Sequence, residues 1–278
     1  MLAGRSNVGK STLLNALIGT KVAIMSPRPQ TTRHPVRGIL HDPRGQIVFV
    51  DTPGVFLGRK DRVSKALNEF VRDTLEGVDA IVYVVDASRE IGQEETHIQN
   101  MLRAAKIPVI MAINKSDLTI EQQTHLYTYL AVDVGQVKTI QISAIKQKNL
   151  KELIDSLFEV LTDGDAHYPD LQLTDIGHNQ WLEELVREKI FINLKEELPY
   201  SIKVTLDDID IHEDGSRKLD ATVWTTQERY KRMIIGSKAS MIKKISMAAR
   251  KELELVTNSK VFLKLEVKVD PKWQERFV

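Results

Sequence analysis

Eight residues near the start, Gly4-Arg5-Ser6-Asn7-Val8-Gly9-Lys10-Ser11, constrain what this chain can fold into more than any other stretch. They fit G-x-x-x-x-G-K-[ST], the spacing of a phosphate-binding loop. Two glycines let the backbone turn tightly enough for successive N–H groups to line a concavity that holds phosphate oxygens. Lys10 places a charge at the β- and γ-phosphates, and the Ser11 hydroxyl reaches Mg²⁺. The helix expected over 11–18 begins with Ser11 and Thr12 and points its positive end at the same phosphates. Its apolar residues Leu13, Leu14, Leu17 and Ile18 recur at helical spacing. The bland alternative is a glycine-bearing turn before an ordinary helix, and the rest of the chain weakens it. A loop of this kind follows a buried parallel strand of about five residues. Here Met1, Leu2 and Ala3 precede Gly4, so either the recorded start lies too far downstream or the central strand is a stub.

Downstream, residues 21–35 are polar and carry Pro27, Pro29 and Pro35 around Gln30-Thr31-Thr32-Arg33, a composition for an ordered or switchable loop. Strands are expected over 36–41 and 46–50, joined by the turn signal Asp42-Pro43-Arg44-Gly45. The second runs into Asp51-Thr52-Pro53-Gly54, which fits D-x-x-G. Asp51 at a strand end reaches Mg²⁺ through water, and Gly54 lets its backbone N–H approach a γ-phosphate. After a helix over 64–75 comes the apolar strand 80–85 ending at Asp86, then a helix over 93–106 and an apolar strand over 107–113. That last strand delivers Asn114-Lys115-Ser116-Asp117, which fits N-K-x-D. The Asp117 carboxylate accepts two hydrogen bonds from the N1–H and exocyclic amine of guanine. Adenine lacks that amine and leaves an acceptor unpaired, at a cost of ~1–3 kcal/mol. Asn114 ties loops together, and Lys115 lays its stem along the ring. A strand over 139–142 ends in Ser143-Ala144, whose backbone N–H groups are candidates for guanine O6, and a helix follows over 150–161. Alternating strands and helices argue a mostly parallel sheet covered on both faces, with the ligand at the carboxyl ends of the strands. All three motifs fall at such ends.

The character of the chain changes over 164–180, which lacks apolar periodicity and reads as an interdomain linker between a domain over 1–163 and another over 181–278. The second is expected to run helix 183–198 ended by Pro199, strand 201–206, an acidic turn over 207–215, strand 218–225, helix 227–235, Gly236-Ser237-Lys238-Ala239, helix 240–255 and strand 260–269. Between Arg229 and Lys251 stand Arg229, Lys231, Arg232, Lys238, Lys243, Lys244, Arg250 and Lys251 with no acidic residue. The whole chain carries a net charge of +1, so this positive surface is local. Most such runs are solvated faces. The short glycine-initiated turn between two helices favours RNA over DNA, because a short clamp reads single strands better than a duplex groove. With no cysteine, disulfides and thiolate metal sites are excluded. No apolar run approaches the ~18 residues of a membrane span, so none is expected, and no targeting peptide is expected ahead of the loop unless a truncated start hides one.

Over nearly its whole length the chain resembles the bacterial Era GTPases, within the TrmE-Era-EngA-like class. The matching stretches are Gly4 to Ser11, Gln30 to Arg33, Asp51 to Gly54, Asn114 to Asp117 and Ser143-Ala144. In the second half they are Glu197-Leu-Pro-Tyr-Ser201 and Ile235-Gly-Ser-Lys238. The resemblance implies an α/β phosphate-loop GTPase domain followed by an α+β type II KH domain that binds RNA. It implies hydrolysis of GTP with Mg²⁺ as the cofactor, with Thr32 in preference to Thr31 as a Mg²⁺ ligand beside Ser11 and Asp51. It also implies binding of the 3′ end of the small-subunit ribosomal RNA and assembly of the 30S subunit. Such a protein is a cytoplasmic monomer that can associate peripherally with the inner membrane. One departure is Ala239, where a KH clamp has its second glycine; a methyl is tolerable there if the backbone is helical.

Val55 stands where many GTPases carry a water-orienting Gln just after D-x-x-G, so slow intrinsic turnover is expected, with Lys10, Thr32 and the Gly54 backbone supplying the catalytic contacts. Arg28 and Arg33 are nearby cations. Related GTPases with an Asn at the position of Asn7 bind K⁺; the alternative is that Asn7 only braces the loop. Two rival readings are a small-molecule phosphotransferase and an RNA-binding scaffold whose GTPase has decayed. Against the first stand Asn114 to Asp117 and the second domain, and against the second the intact motif residues.

Overall fold

The computed structural model describes residues 1–26, 31–32, 35–54, 74, 77–194 and 198–273. Gln30 and Arg33 of the switch motif, Arg28, Val55, Glu197 and the helix expected over 64–75 (Thr74 apart) lie outside the described residues. The chain forms two compact units that meet in sequence between Asp175 and Ile176.

The first unit is built on a six-stranded sheet of order β2-β3-β1-β4-β5-β6. Its strands are β1 (Leu2–Ala3), β2 (Val36–Asp42), β3 (Gly45–Asp51), β4 (Ile81–Asp86), β5 (Val109–Asn114) and β6 (Gln136–Gln141). Its helices are α1 (Lys10–Ile18), α2 (Gln93–Ala104), α3 (Leu126–Leu130) and α4 (Leu150–Val160). Every residue of β4 and β5 is buried, as parallel strands covered on both faces require. α1 buries Leu13, Leu14 and Leu17, and it stops at Gly19, whose left-handed φ of 79° lets its N–H cap the Asn15 carbonyl. The short α3 was not legible in the sequence, because a helix of five residues with one buried side chain, Tyr129, leaves no periodicity to read.

β1 is a central strand, lying between β3 and β4. Leu2 pairs with Asp51 of β3 and Val82 of β4, Ala3 pairs with Tyr83, and the Met1 amine donates to Ala80 O at 2.9 Å. A cavity of about 740 Å³ is lined by Met1, Ile47, Phe49, Ala80 and Leu157. Gly4 follows β1 at the carboxyl end of the sheet, against the Val84 carbonyl of β4.

The stretch expected as linker is bound chain over much of its length. The Gln46 side chain donates to Tyr168 O and accepts from the N–H groups of His167 and Tyr168. Ile39 N donates to Leu173 O at 2.9 Å, Gly38 bridges Thr174, and Arg37 Nη1 bonds Asp175 Oδ2 at 2.7 Å. β2 is an edge strand whose outer backbone groups need partners. Such pairing is made by backbone, so the polar composition gave no sign of it.

The second unit packs α5 (His178–Asn193), α6 (Glu228–Ile235) and α7 (Ser240–Thr257) on one sheet of order β7-β8-β9. The strands are β7 (Ile202–Ile211), β8 (Arg217–Thr225) and β9 (Val261–Val269). β7 and β8 are antiparallel, β8 and β9 parallel. Phe191, Ile202, Val223, Ile234, Ile245 and Ala249 fill the core. Two expectations need correction. α5 starts and ends earlier than expected, so Pro199 is not its stop; it sits in a separate 3-10 turn, Leu198–Ser201. Of the acidic turn, Asp207, Asp208 and Asp210 belong to β7, where a register shift lets Asp207 accept from the buried Thr222 hydroxyl at 2.6 Å.

Candidate active site and nucleic-acid interface

The phosphate-binding loop is shaped by what surrounds it. A side chain at Gly4 would overlap the Val84 carbonyl, one at Gly9 (φ 103°) would overlap the Asn114 amide, and a Cβ on Gly54 would lie 2.7 Å from Ser6 N. The three motifs therefore touch, and each glycine marks a contact. Val8 is fully buried, and Thr52 donates to Leu2 O at 3.0 Å, so these two residues build the loop's frame. Asn7 is exposed, with a left-handed φ of 66°. Arg5 and Ser6 contribute backbone: Arg5 O accepts from Lys10 at 3.1 Å and Ser6 O from Arg89 at 3.1 Å.

Lys10 Nζ donates to Gly4 O at 3.0 Å. Burial pulls this ammonium down from its ordinary value, against the attraction of Asp51 and Glu95. Ser11 Oγ donates to Asp51 Oδ2 at 2.5 Å and lies 3.1 Å from Thr32 Oγ1. Asp51 is completely buried, which pushes its carboxyl up, and its Oδ1 has no hydrogen-bond partner. Three hard oxygens thus converge, with one buried lone-pair site left over, and this set fits Mg²⁺ completed by phosphate oxygens and water. Among the described residues no three His, Cys, Asp or Glu converge as a metal cage. Thr31, its neighbour, is buried.

At the end of β5, Asn114 binds both ways: its Nδ2 donates to Val8 O at 2.9 Å and its Oδ1 accepts from Ala144 N at 3.0 Å. Lys115 takes a left-handed φ of 65° and extends to Asp86. Asp117 is exposed and its Oδ1 is fixed by the Ser143 hydroxyl at 2.5 Å. The N–H groups of Ser143 and Ala144, expected for guanine O6, already donate to Lys148 O and Asn114 Oδ1, so a base has to share or displace those bonds. Sequence reasoning missed three braces. Asn15 holds Val22 N, Ala23 N and Ala23 O, fixing the chain that leads to Thr32. Arg89 donates to Ser6 O, and Arg5 Nη1 donates to Glu90 O at 3.1 Å, clamping the phosphate loop to the segment after β4. A polar Asn on the leucine face of α1 was the one available signal.

In the second unit, α6 ends at Gly236 (φ 73°, ψ 171°), and Ser237–Ala239 form a 3-10 turn before α7. Ala239 is not right-handed helical. It sits at φ 58° and ψ 25°, the left-handed region that favours glycine, so the condition for a tolerated methyl is not met. Lys238 is left-handed too, at φ 48°. Arg229, Arg232, Lys238, Lys243 and Lys244 are exposed, and Lys231 is half-buried. Arg229 stacks on Tyr230 at 4.7 Å. A groove of about 420 Å³ runs beside this turn's second helix, lined by Lys218, Asp220, Met247, Arg250, Phe262 and Lys264. Lys218, Phe262 and Lys264 escaped the sequence reading because they come from β8 and β9, far from the basic run.

Residues 1–115 match a family described as 50S ribosome-binding GTPase, and residues 197–274 match the KH domain. The chain is 39% identical to the GTPase Era of Halothermothrix orenii, over 98% of its own length and 92% of that protein's. It is 38% identical to the GTPase Era of Heliobacterium modesticaldum, over 99% and 92%. A crystal structure of Era in complex with MgGDPNP and nucleotides 1506–1542 of 16S ribosomal RNA matches with a TM-score of 0.91 and 35% identity, covering 99% of this chain and 94% of that one. An Aquifex aeolicus Era variant bound to GDP·AlF4⁻ matches with a TM-score of 0.90 at 35% identity, over 99% and 94%.

Proposed function

The chain belongs to the Era family of GTPases, and from that premise we propose that it is a GTP-driven switch that binds the 3′ end of 16S ribosomal RNA and assists 30S subunit assembly and rRNA maturation. The observation that carries this reading is the pairing, in one chain, of the Ser11–Thr32–Asp51 oxygen cluster beside Lys10 with a basic glycine turn and groove in a KH fold. Ser11 and Asp51 would hold the Mg²⁺ ion, Thr32 would join them in the GTP state, and Lys10 would turn from its loop carbonyls to the phosphates. When bound, Mg²⁺ neutralises charge developing on the transferred phosphoryl group. Gly54, held against Ser6, offers its backbone to the γ-phosphate. With Val55 in place of a glutamine, turnover is slow.

Through Asp117 the base is selected. GTP is preferred over ATP, and Asp117→Ala collapses that preference by ~1–3 kcal/mol of lost discrimination, measured by nucleotide competition. A scaffold with a decayed GTPase predicts no nucleotide binding at all. Asn7 holds K⁺ as a substitute for an arginine finger; replacing KCl with NaCl at equal ionic strength then slows hydrolysis, and equal rates end the idea.

For the RNA, Gly236 and Ser237 bring backbone to phosphate, and Arg229, Lys231, Arg232, Lys238, Lys243 and Lys244 supply the field. An RNA spanning the 3′ end of 16S rRNA binds this chain more tightly than a scrambled strand of equal length, and the affinity falls with salt. Equal affinity for the two strands removes the 16S assignment while leaving RNA binding. We place the protein in the cytoplasm as a monomer with peripheral membrane contact. No helix among the described residues is long and apolar enough to cross a membrane.

A further inference from the structure

Asp86 belongs to none of the three nucleotide motifs, yet it is the most completely satisfied carboxylate at the carboxyl edge of the sheet. It ends β4, opposite Asn114, the last residue of β5, in the parallel register, and Lys115 directly follows Asn114. Its Oδ2 accepts from Lys115 Nζ at 2.5 Å. Its Oδ1 accepts from Ser88 N at 3.0 Å and Ser88 Oγ at 2.6 Å. The Asp86 side chain is 1% exposed and that of Lys115 is 37% exposed. Burial pushes the Asp86 carboxyl up, but the Lys115 ammonium and the Ser88 hydroxyl and N–H together hold it below the ordinary carboxylate value.

We propose that Asp86 is a positioning residue for the guanine base, acting through Lys115. A lysine stem has four rotatable bonds, and holding it flat against a ring costs conformational entropy that an exposed ammonium does not recover. Here the ammonium is anchored to a carboxylate that cannot itself move, because both of its oxygens are engaged and it sits at the end of a buried strand. The left-handed φ of 65° at Lys115 starts the side chain in that direction. The wall against which a base lies is thus built before the base arrives, and such preorganisation lengthens residence more than it speeds arrival. Asp117 reads the base edge, and Asp86 fixes the surface its face lies on. This inference rests on the proposed placement of Lys115 along the ring.

The test is a double-mutant cycle on the full chain, reading release of a fluorescent GDP and the ratio of GDP to IDP affinity. Asp86→Asn accelerates GDP release about tenfold, Lys115→Ala does the same, and the double variant releases no faster than Lys115→Ala alone. The GDP-to-IDP ratio is unchanged in Asp86→Asn, because IDP lacks only the amine that Asp117 reads. Additive effects, a collapsed GDP-to-IDP ratio or wild-type release from Asp86→Asn would each overturn the proposal. Ser88→Ala, which removes one restraint and leaves the carboxylate, gives a smaller acceleration in the same direction and serves where Asp86→Asn fails to fold; wild-type release from it would count against the proposal equally. Wild-type release from Lys115→Ala would refute the placement of Lys115 itself and be recognised as that.

Discussion

Gly9 of the phosphate loop is a glycine because the Asn114 amide occupies the space where its side chain would be. Asn114 in turn binds Val8 O and Ala144 N, so one side chain joins the phosphate loop, the base-reading loop and the turn after β6. The glycine and the asparagine are separate motif letters in the sequence and one contact in the fold.

Gly9→Ala therefore fails twice. The left-handed φ of 103° strains any side chain by ~1–3 kcal/mol, and the methyl displaces Asn114. Thermal melting without nucleotide falls, and GDP affinity falls with it.

Asn114→Ala leaves Val8 O and the Ala144 N–H inside the protein without their partner. A cost of ~1–3 kcal/mol is expected in nucleotide-free denaturant unfolding of the first unit. A purely ligand-binding Asn114 would leave the nucleotide-free curve unmoved.

Asp51 sets function against stability. Burial raises its carboxyl above the unfolded value of 3.8, so the ionised form is the costly one in the folded protein. That cost is absent below 3.8, grows as pH rises and is complete once pH passes the folded value. Asp51→Asn removes it and keeps an acceptor for Ser11. Without nucleotide the variant melts above the wild type at about pH 8, the gap closes toward about pH 4, and Mg²⁺-dependent hydrolysis is lost. A gap that widens on acidification would reverse the sign.

At the KH turn, the two ends behave oppositely. Gly236→Ala meets Met241 at 2.8 Å with φ at 73°, and the second unit loses ~1–3 kcal/mol. Ala239→Gly relieves a left-handed alanine but frees the unfolded chain, so stability changes by less than ~1 kcal/mol. RNA affinity, read by filter binding, falls for Gly236→Ala and rises for Ala239→Gly, whose backbone comes closer to phosphate.

Several elements were legible because their signal is local. The buried strands β4 and β5 announce themselves as apolar runs, α1 by its leucine spacing, and the β2–β3 hairpin by Asp42 to Gly45. The attachment of residues 167–175 along β2 was not legible, because it is made by backbone groups and by Gln46, more than a hundred residues away. Nor were the roles of Asn15 and Arg89, whose partners are backbone groups, or of Asp86, which is held by Ser88 and by a lysine just past the end of β5.

By itself the sequence determined where the G-x-x-x-x-G-K-S, D-x-x-G and N-K-x-D runs and the basic glycine turn stand, because each is a short run recognisable by its spacing alone. Only the tertiary structure decided how those runs are held. Strand register set Asp86 opposite Asn114, and burial orphaned Asp51 Oδ1. Chain path turned Ala239 left-handed and made two residues of β1 the centre of a six-stranded sheet. The physical reason is that a motif fixes which atoms a ligand needs, whereas their position and charge depend on neighbours that only folding brings together.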